Sequence, residues 1–312
     1  MARRSASYLI LSALVASCAS SPPEMDPKIE EEMLRRKAAA AAVEERQDAF
    51  NNVLMNLDKS VDKYVEAIVR TGIHRADRKA QGLENFLREA VTKHFDQLVR
   101  TADDVSQPES RAIAVAALGF ATRDEALDSI LNAVRAPEDV VVNNAVFGLG
   151  MLRDRRTPPA LIANIVEDAS KPTNMRIGAA WSLFRVQESI PNPEQVYPVW
   201  LRILHSPNDI DPWIVIQALR GISRSRNPAH STLATPLLIH PTPRVRWAAA
   251  TCLGYLGNRE ASEDLIERLG PNESNPNVRL AARKALQALA GNVDRGYDVR
   301  EWRRVFETSS GG

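Results

Sequence analysis

The sequence predicts an all-α chain: a right-handed α-solenoid of stacked helical pairs preceded by a long N-terminal helix. Three observations carry that reading. Hydrophobic residues make up 44% of the chain but aromatic residues only 5%. Alanine and leucine dominate and β-branched alternation is scarce, which favours helix over strand. Residues 28–70 contain neither proline nor glycine. A short apolar segment then recurs six times at spacings of 31, 34, 36, 34 and 33 residues. A formal net charge of +1 implies no bulk attraction to nucleic acid or to an acidic surface. Beyond the extreme N-terminus, no apolar run approaches the roughly 20 residues a spanning helix needs.

The chain opens MARRSASYLILSALVASCASSPPEMDP. Arg3 and Arg4 form a basic start, and Tyr8 to Val15 a short apolar stretch followed by small residues. That composition makes residues 1–17 a secretion signal. The run Val15-Ala16-Ser17-Cys18 resembles the lipobox of bacterial lipoproteins, which has small residues at the two positions before the cysteine. The resemblance implies cleavage before Cys18 and lipidation of its thiol. An ordinary signal peptide cut near Ala16 or Ser17, with Cys18 incidental, is the alternative. Acyl chains contribute about 0.8 kcal/mol per buried methylene, enough in sum for stable anchoring. Residues 18–28, rich in serine and proline, then read as the lipidated tether, reaching at most about 35 Å. The location implied is the bacterial cell envelope, lipid-anchored and facing the periplasm. Ala19 stands where many inner-membrane lipoproteins carry aspartate, so an outer-membrane location is open.

Residues 29–70 follow as a long amphipathic helix. Val43, Phe50, Leu54, Leu57, Val61, Tyr64 and Ile68 repeat with the steps of a heptad seam. The seam either docks on the solenoid or joins copies of the chain in a coiled coil. Gly72 and Gly82 mark a break, after which Leu83 to Arg100 starts the next helix.

The repeats begin at Arg111, Val142, Arg176, Pro212, Arg246 and Arg279. The eighth residue is always leucine: Leu118, Leu149, Leu183, Leu219, Leu253 and Leu286. The seventh is always small, from Ala117 and Gly148 to Cys252 and Ala285. With the fourth and eleventh positions these share one helix face. Small residues there allow a neighbouring helix close approach, and the leucine fills the space between. Shorter amphipathic segments lie between them, at 127–134, 161–166, 196–204 and 265–269. The one at 233–239 is flanked by Pro228 and Pro241 and interrupted by Pro236, so its helix should be irregular. Helix pairs this short cannot bury their own apolar faces and must stack.

The pattern V-R-x-x-A-x-x-A-L, at Val245 to Leu253 and Val278 to Leu286, resembles HEAT repeats of the bacterial lyase-like type. It covers residues 83–291, although Val142 and Pro212 replace the usual arginine. The tail at 296–307 looks like a capping helix, with Trp302 and Phe306 over the last repeat. The resemblance implies fold more than task, since the family includes scaffolds, adaptors and a few enzymes.

No nucleophile elbow, paired-histidine zinc motif, CxxC or phosphate loop is present. The five histidines have no ligand-like spacing, Cys252 occupies a packing position, and no catalytic residue, metal site or cofactor is expected. The second, sixth and ninth positions of each repeat helix face away from its buried side, toward the concave groove of such a solenoid. They include Phe147, Trp181, Phe184, Trp213, Arg220 and Trp247. An aromatic stripe on a default-polar surface calls for an occupant. Either a protein or peptide partner docks on Phe147, Trp181, Trp213, Arg220 and Trp247, or the chain's own helix at 43–68 fills the groove or the stripe packs between repeats. The reading is a membrane-anchored, non-enzymatic scaffold with no nucleic acid and no evident small-molecule substrate. A lyase-like repeat enzyme and an envelope protein oligomerising through its N-terminal helix are the alternatives.

Overall fold

The structure, a computed structural model, describes residues 27–70 and 78–307. The signal segment 1–17, Cys18 and nearly all of the tether at 18–28 lie outside the described residues. Described residues form helices and turns, with no strand among them, and no described helix is long and apolar enough to cross a membrane.

Two compact units divide the chain, residues 1–52 and 53–312. In the first, the described residues belong to the opening of helix α1 (Pro27–Val65). Here Ile29, Met33, Leu34 and Val43 are exposed. Arg35 pairs with Glu31 at 2.7 Å and Arg36 with Glu32 at 2.6 Å, each one turn apart. Such exposed pairs add only about 0.3–0.5 kcal/mol each.

The second unit begins at Val53. Leu54, Leu57, Val61 and Tyr64 of α1 are buried in it, as is Ile68 in the π-helical turn Glu66–Arg70 that follows. The later part of the heptad seam is therefore occupied within the chain. Helix α2 (Arg78–Asp103) starts earlier than the Gly82 break suggests, and kinks at His94, whose φ is −112° and ψ 18°. Nothing lies within 4 Å of a side chain built at Gly82, so the helix runs through it at the cost of propensity alone.

Six helix pairs follow in order. They are α2 with α3 (Pro108–Leu118), α4 (Ala126–Ala133) with α5 (Asp139–Leu152), and α6 (Pro159–Glu167) with α7 (Thr173–Gln187). Then come α8 (Tyr197–His205) with α9 (Pro212–Ser223), α10 (Ser231–Ala234) with α11 (Pro243–Leu256), and α12 (Ser262–Glu267) with α13 (Pro276–Leu289). Each second helix packs on the next, α3 on α5 through to α11 on α13, making one continuous layer. The first helices form the other layer against it. As its prolines dictate, α10 is a single turn continued by a 3₁₀ segment, Thr235–Ile239.

The recurring leucines explain the stacking. Leu118, Leu149, Leu183, Leu219, Leu253 and Leu286 are all 0% exposed. Close approach is set by the small residues beside them: a Cβ on Gly119 would stand 2.8 Å from the Gly148 Cα. Proline opens α3, α6, α9, α11 and α13, where its fixed φ suits the first helical turn and its missing N–H costs nothing.

The arginine that opens several repeats has a structural task. Arg111 donates Nε to the Ala102 carbonyl at 2.9 Å, and Arg176 donates to Val166 at 3.0 Å. Arg246 reaches the His240 carbonyl at 2.9 Å. Each satisfies a carbonyl at the end of the preceding helical segment, where the helix dipole also favours a cation. Arg246 adds a two-pronged ion pair to the buried Glu273, at 2.7 and 2.8 Å. At Arg279 the Nε finds no partner, and its guanidinium lies 5.1 Å from the Tyr297 ring centre.

Helix α14 (Val299–Glu307) closes the array against α12. Trp302 and Phe306 are buried with ring centres 6.3 Å apart, and the Trp302 indole donates to the Gly296 carbonyl at 3.0 Å.

Candidate functional site

The aromatic positions of the second helices divide by burial. Trp181 and Phe184 are each 4% exposed, so at these two positions the stripe is packed within the chain and is not open to a partner. Trp181 stacks on Phe147, centres 5.8 Å apart and planes inclined by 12°. Phe147 in turn lies 6.3 Å from Phe120, which meets Tyr64 of α1 edge-on at 5.1 Å. The aromatic chain thus runs between consecutive helices and ends against α1. The chain's own helix covers this part of the face, as the sequence allows.

Farther along, the face opens. Trp213 is half-buried, as Phe147 is within the covered part, and Trp247 is 42% exposed beside Tyr255 at 60%. The Arg244 guanidinium lies 4.7 Å from the Trp213 ring centre. Arg220 is half-buried, 4.2 Å above the Phe184 ring, and donates Nη1 to Gln217 Oε1 at 3.0 Å. Arg224, from the end of α9, pairs with Glu188. The groove between α9 and α11 is floored by Leu219, Ala248 and Cys252, with a cavity of about 190 Å³. Burial pushes the Cys252 thiol far up from its ordinary value, so it packs as an inert apolar group.

Two larger cavities flank the second-helix layer. One, about 420 Å³, lies between the end of α1 and helices α3, α5, α7 and α9. Phe147, Trp181 and Trp213 form its aromatic wall. The other, about 680 Å³, is bordered by Tyr64, Glu84, Arg88, Arg153 and Arg185. Titratable groups do converge there, which the sequence did not disclose because they come from separate elements. Tyr64 donates to Glu84 at 3.1 Å, and Arg88 donates to the same carboxylate at 2.8 Å.

Burial alone would raise the Glu84 pKa. The hydrogen bonds from Arg88 and Tyr64 and the Arg88 charge outweigh it, and the carboxyl is held below its usual range. Burial and the Glu84 charge push the Tyr64 phenol up. Burial and the neighbouring Arg153 lower Arg185 to about 10. A carboxylate already hydrogen-bonded and a phenol shifted upward are poorly placed as a general base at neutral pH. The cluster ties α1 to α2 instead. Among the described residues no group of three histidine, cysteine or acidic side chains could hold a metal ion.

Residues 232–295 match the family model for HEAT repeats. That stretch runs from α10 through α13. No match was found among curated proteins. Among solved structures the chain is similar to an engineered protein, at 17% identity over 80% of this chain and 72% of that one, TM-score 0.46. It is also similar to the complex of CpcE and CpcF of phycocyanin lyase from Nostoc sp. PCC7120. There identity is 19% over 78% of this chain and 93% of that one, TM-score 0.40. Human deoxyhypusine hydroxylase in complex with glycerol gives 16% identity, 73% and 98% coverage, and a TM-score of 0.34.

Proposed function

We propose that the chain is a non-enzymatic scaffold of the cell envelope, anchored through Cys18, that docks a protein or peptide partner on the face of its second helices. The observation that carries this reading is the open indole of Trp247, 42% exposed next to Tyr255 and the groove above Cys252. Half-buried Trp213 and Arg220 continue the same face. Arginine and exposed tryptophan or tyrosine together are the side chains that most often anchor interfaces. Because Trp181 is buried, it takes the role of a wall, with Trp213, Arg220 and Trp247 left as anchors.

Photo-crosslinking from positions 213 and 247 in the native envelope, followed by mass spectrometry, tests the reading. Recovery of one distinct second protein, lost when Trp247 is replaced by alanine, is expected. Crosslinks confined to this chain would overturn it. Labelling with a radioactive fatty acid, abolished by Cys18→Ser, tests the anchor separately.

A further inference from the structure

The 420 Å³ cavity beside α1 differs in chemistry from the open groove at Trp247. Its lining carries two carboxylates, Asp58 and Asp62, and neither lysine nor arginine. Opposite them stand the rings of Phe147, Trp181 and Trp213. Arg185 and Arg244 touch Trp181 and Trp213 at 5.1 and 4.7 Å but do not line the cavity. The two aspartates, one helical turn apart, have no ion-pair partner among the described residues. Aromatic faces and carboxylates without an ion pair both favour a cation, and the one lysine charge that acts on Asp58, Lys59, does not line the cavity.

The amides say what carries that cation. Gln217 is 6% exposed, and its Oε1 accepts from Arg220 at 3.0 Å, while its Nε2 has no acceptor among the described residues. Asn143 and Asn174 also line the cavity, and their side chains make no hydrogen bond among the described residues. A side-chain amide offers both donor and acceptor, the match of a peptide group. The Gln217 Nε2 is not sealed away from solvent and makes no hydrogen bond among the described residues, so it is available to donate to an arriving carbonyl.

We infer that this cavity receives a lysine or arginine side chain of a partner polypeptide, its cation between the aspartates and the aromatic wall, its backbone held by Asn143, Asn174 and Gln217. The inference rests on the reading that this face docks a protein, and it names the partner's chemistry. Burial and the charge of Asp62 raise the Asp58 pKa more than the neighbouring Lys59 lowers it, and a bound cation would oppose that rise.

The test uses the full chain and two fluorescent eight-residue peptides, one alternating lysine with serine and one alternating glutamate with serine. Fluorescence anisotropy should show the lysine peptide binding, weakening as salt rises, and the glutamate peptide not binding. Asp58→Asn with Asp62→Asn should weaken the lysine peptide about tenfold, the loss expected when two partly exposed charge contacts go. The same far-UV circular dichroism and melting midpoint as the parent chain would show that the variant is folded. Gln217→Leu should weaken binding without changing its salt dependence. Butane-1,4-diamine should compete only at concentrations at least a hundredfold above the peptide. Equal potency of the diamine would overturn the polypeptide assignment. No lysine-peptide binding, or full binding by the double variant, would overturn the cation site. Crosslinks from position 247 to a partner, with no lysine-peptide binding, would leave the scaffold reading standing while this inference falls. Peptide binding without any such partner would do the reverse.

Discussion

Gly221 sits where α9 meets the indole of Trp200, and its replacement offers a sharp test of how the repeats are packed. A Cβ at Gly221 would stand 2.1 Å from Trp200 Nε1, 2.5 Å from Cδ1 and 2.6 Å from Cε2. Trp200 is 0% exposed and cannot swing into solvent. Its indole donates to Gln187 Oε1 at 2.7 Å, and Gln187 donates back to the Gly221 carbonyl at 3.0 Å. Gly221→Ala therefore displaces the ring and breaks the loop of hydrogen bonds together. Overpacking costs about 1–3 kcal/mol, and a stranded buried amide about 1–3 more. The expected total is about 4 kcal/mol. In a Trp200→Leu background the ring is gone, and the same alanine should cost less than about 1 kcal/mol, a coupling of about 3. Urea midpoints by far-UV circular dichroism give the four corners of the cycle. Hydrogen exchange of the α8 and α9 amides locates the loss, since a repeat array can open in parts. Equal costs for Gly221→Ala in the two backgrounds would refute contact with Trp200 as the cause.

Two further outcomes follow from the arginine joints. Hydrogen bonding by Arg246 holds the Glu273 carboxyl below its ordinary value, so the pair stabilises the fold above the unfolded pKa of about 4.3 and ceases to do so as pH falls through the folded value. Glu273→Gln should cost about 3 kcal/mol at neutral pH, with the melting curves of parent and variant converging below about pH 4; a gap independent of pH would show the ion pair is not responsible. Arg176→Met should cost about 1.5–3 kcal/mol through its lost bond to Val166, whereas Arg279→Met, whose Nε bonds nothing, should cost less than about 1 kcal/mol. Denaturant midpoints of the two variants decide, and the reverse order would contradict the carbonyl-capping role.

The solenoid was legible because one steric requirement recurs. A helix that packs between two neighbours needs a small residue and a leucine at fixed places, and six helices show both. The position of α1's seam was legible for the same reason, from Leu54 to Ile68. Periodicity names the side of a helix that turns away from its partner, but not what a neighbouring helix lays over that side. The sequence therefore left open whether Trp181 and Phe184 face a partner or pack within the chain, and in the structure they are buried. Gly150 was a signal of close approach between repeats, since a Cβ there would stand 2.6 Å from Ser182 Oγ. The two large cavities gather residues from α1 and as many as four repeats. No spacing within a single helix could have revealed them. The opening arginines were visible as part of a motif, yet their acceptors are backbone carbonyls, which leave no mark in the sequence.

Helix α14 bears on assembly. In a stacked array every unit shows its successor an apolar side of the same kind, and beyond α12 it is α14, not another helix pair, that meets that side. Such an end, left uncovered on one molecule and fitting the other end of the next, is the heterologous contact that grows filaments. Trp302 and Phe306 occupy that end, while Arg303 on the outer side binds Glu263 at 2.5 Å and leaves a charged surface. Helix α14 thus puts a charged surface where the apolar side of a repeat would otherwise be offered to another molecule.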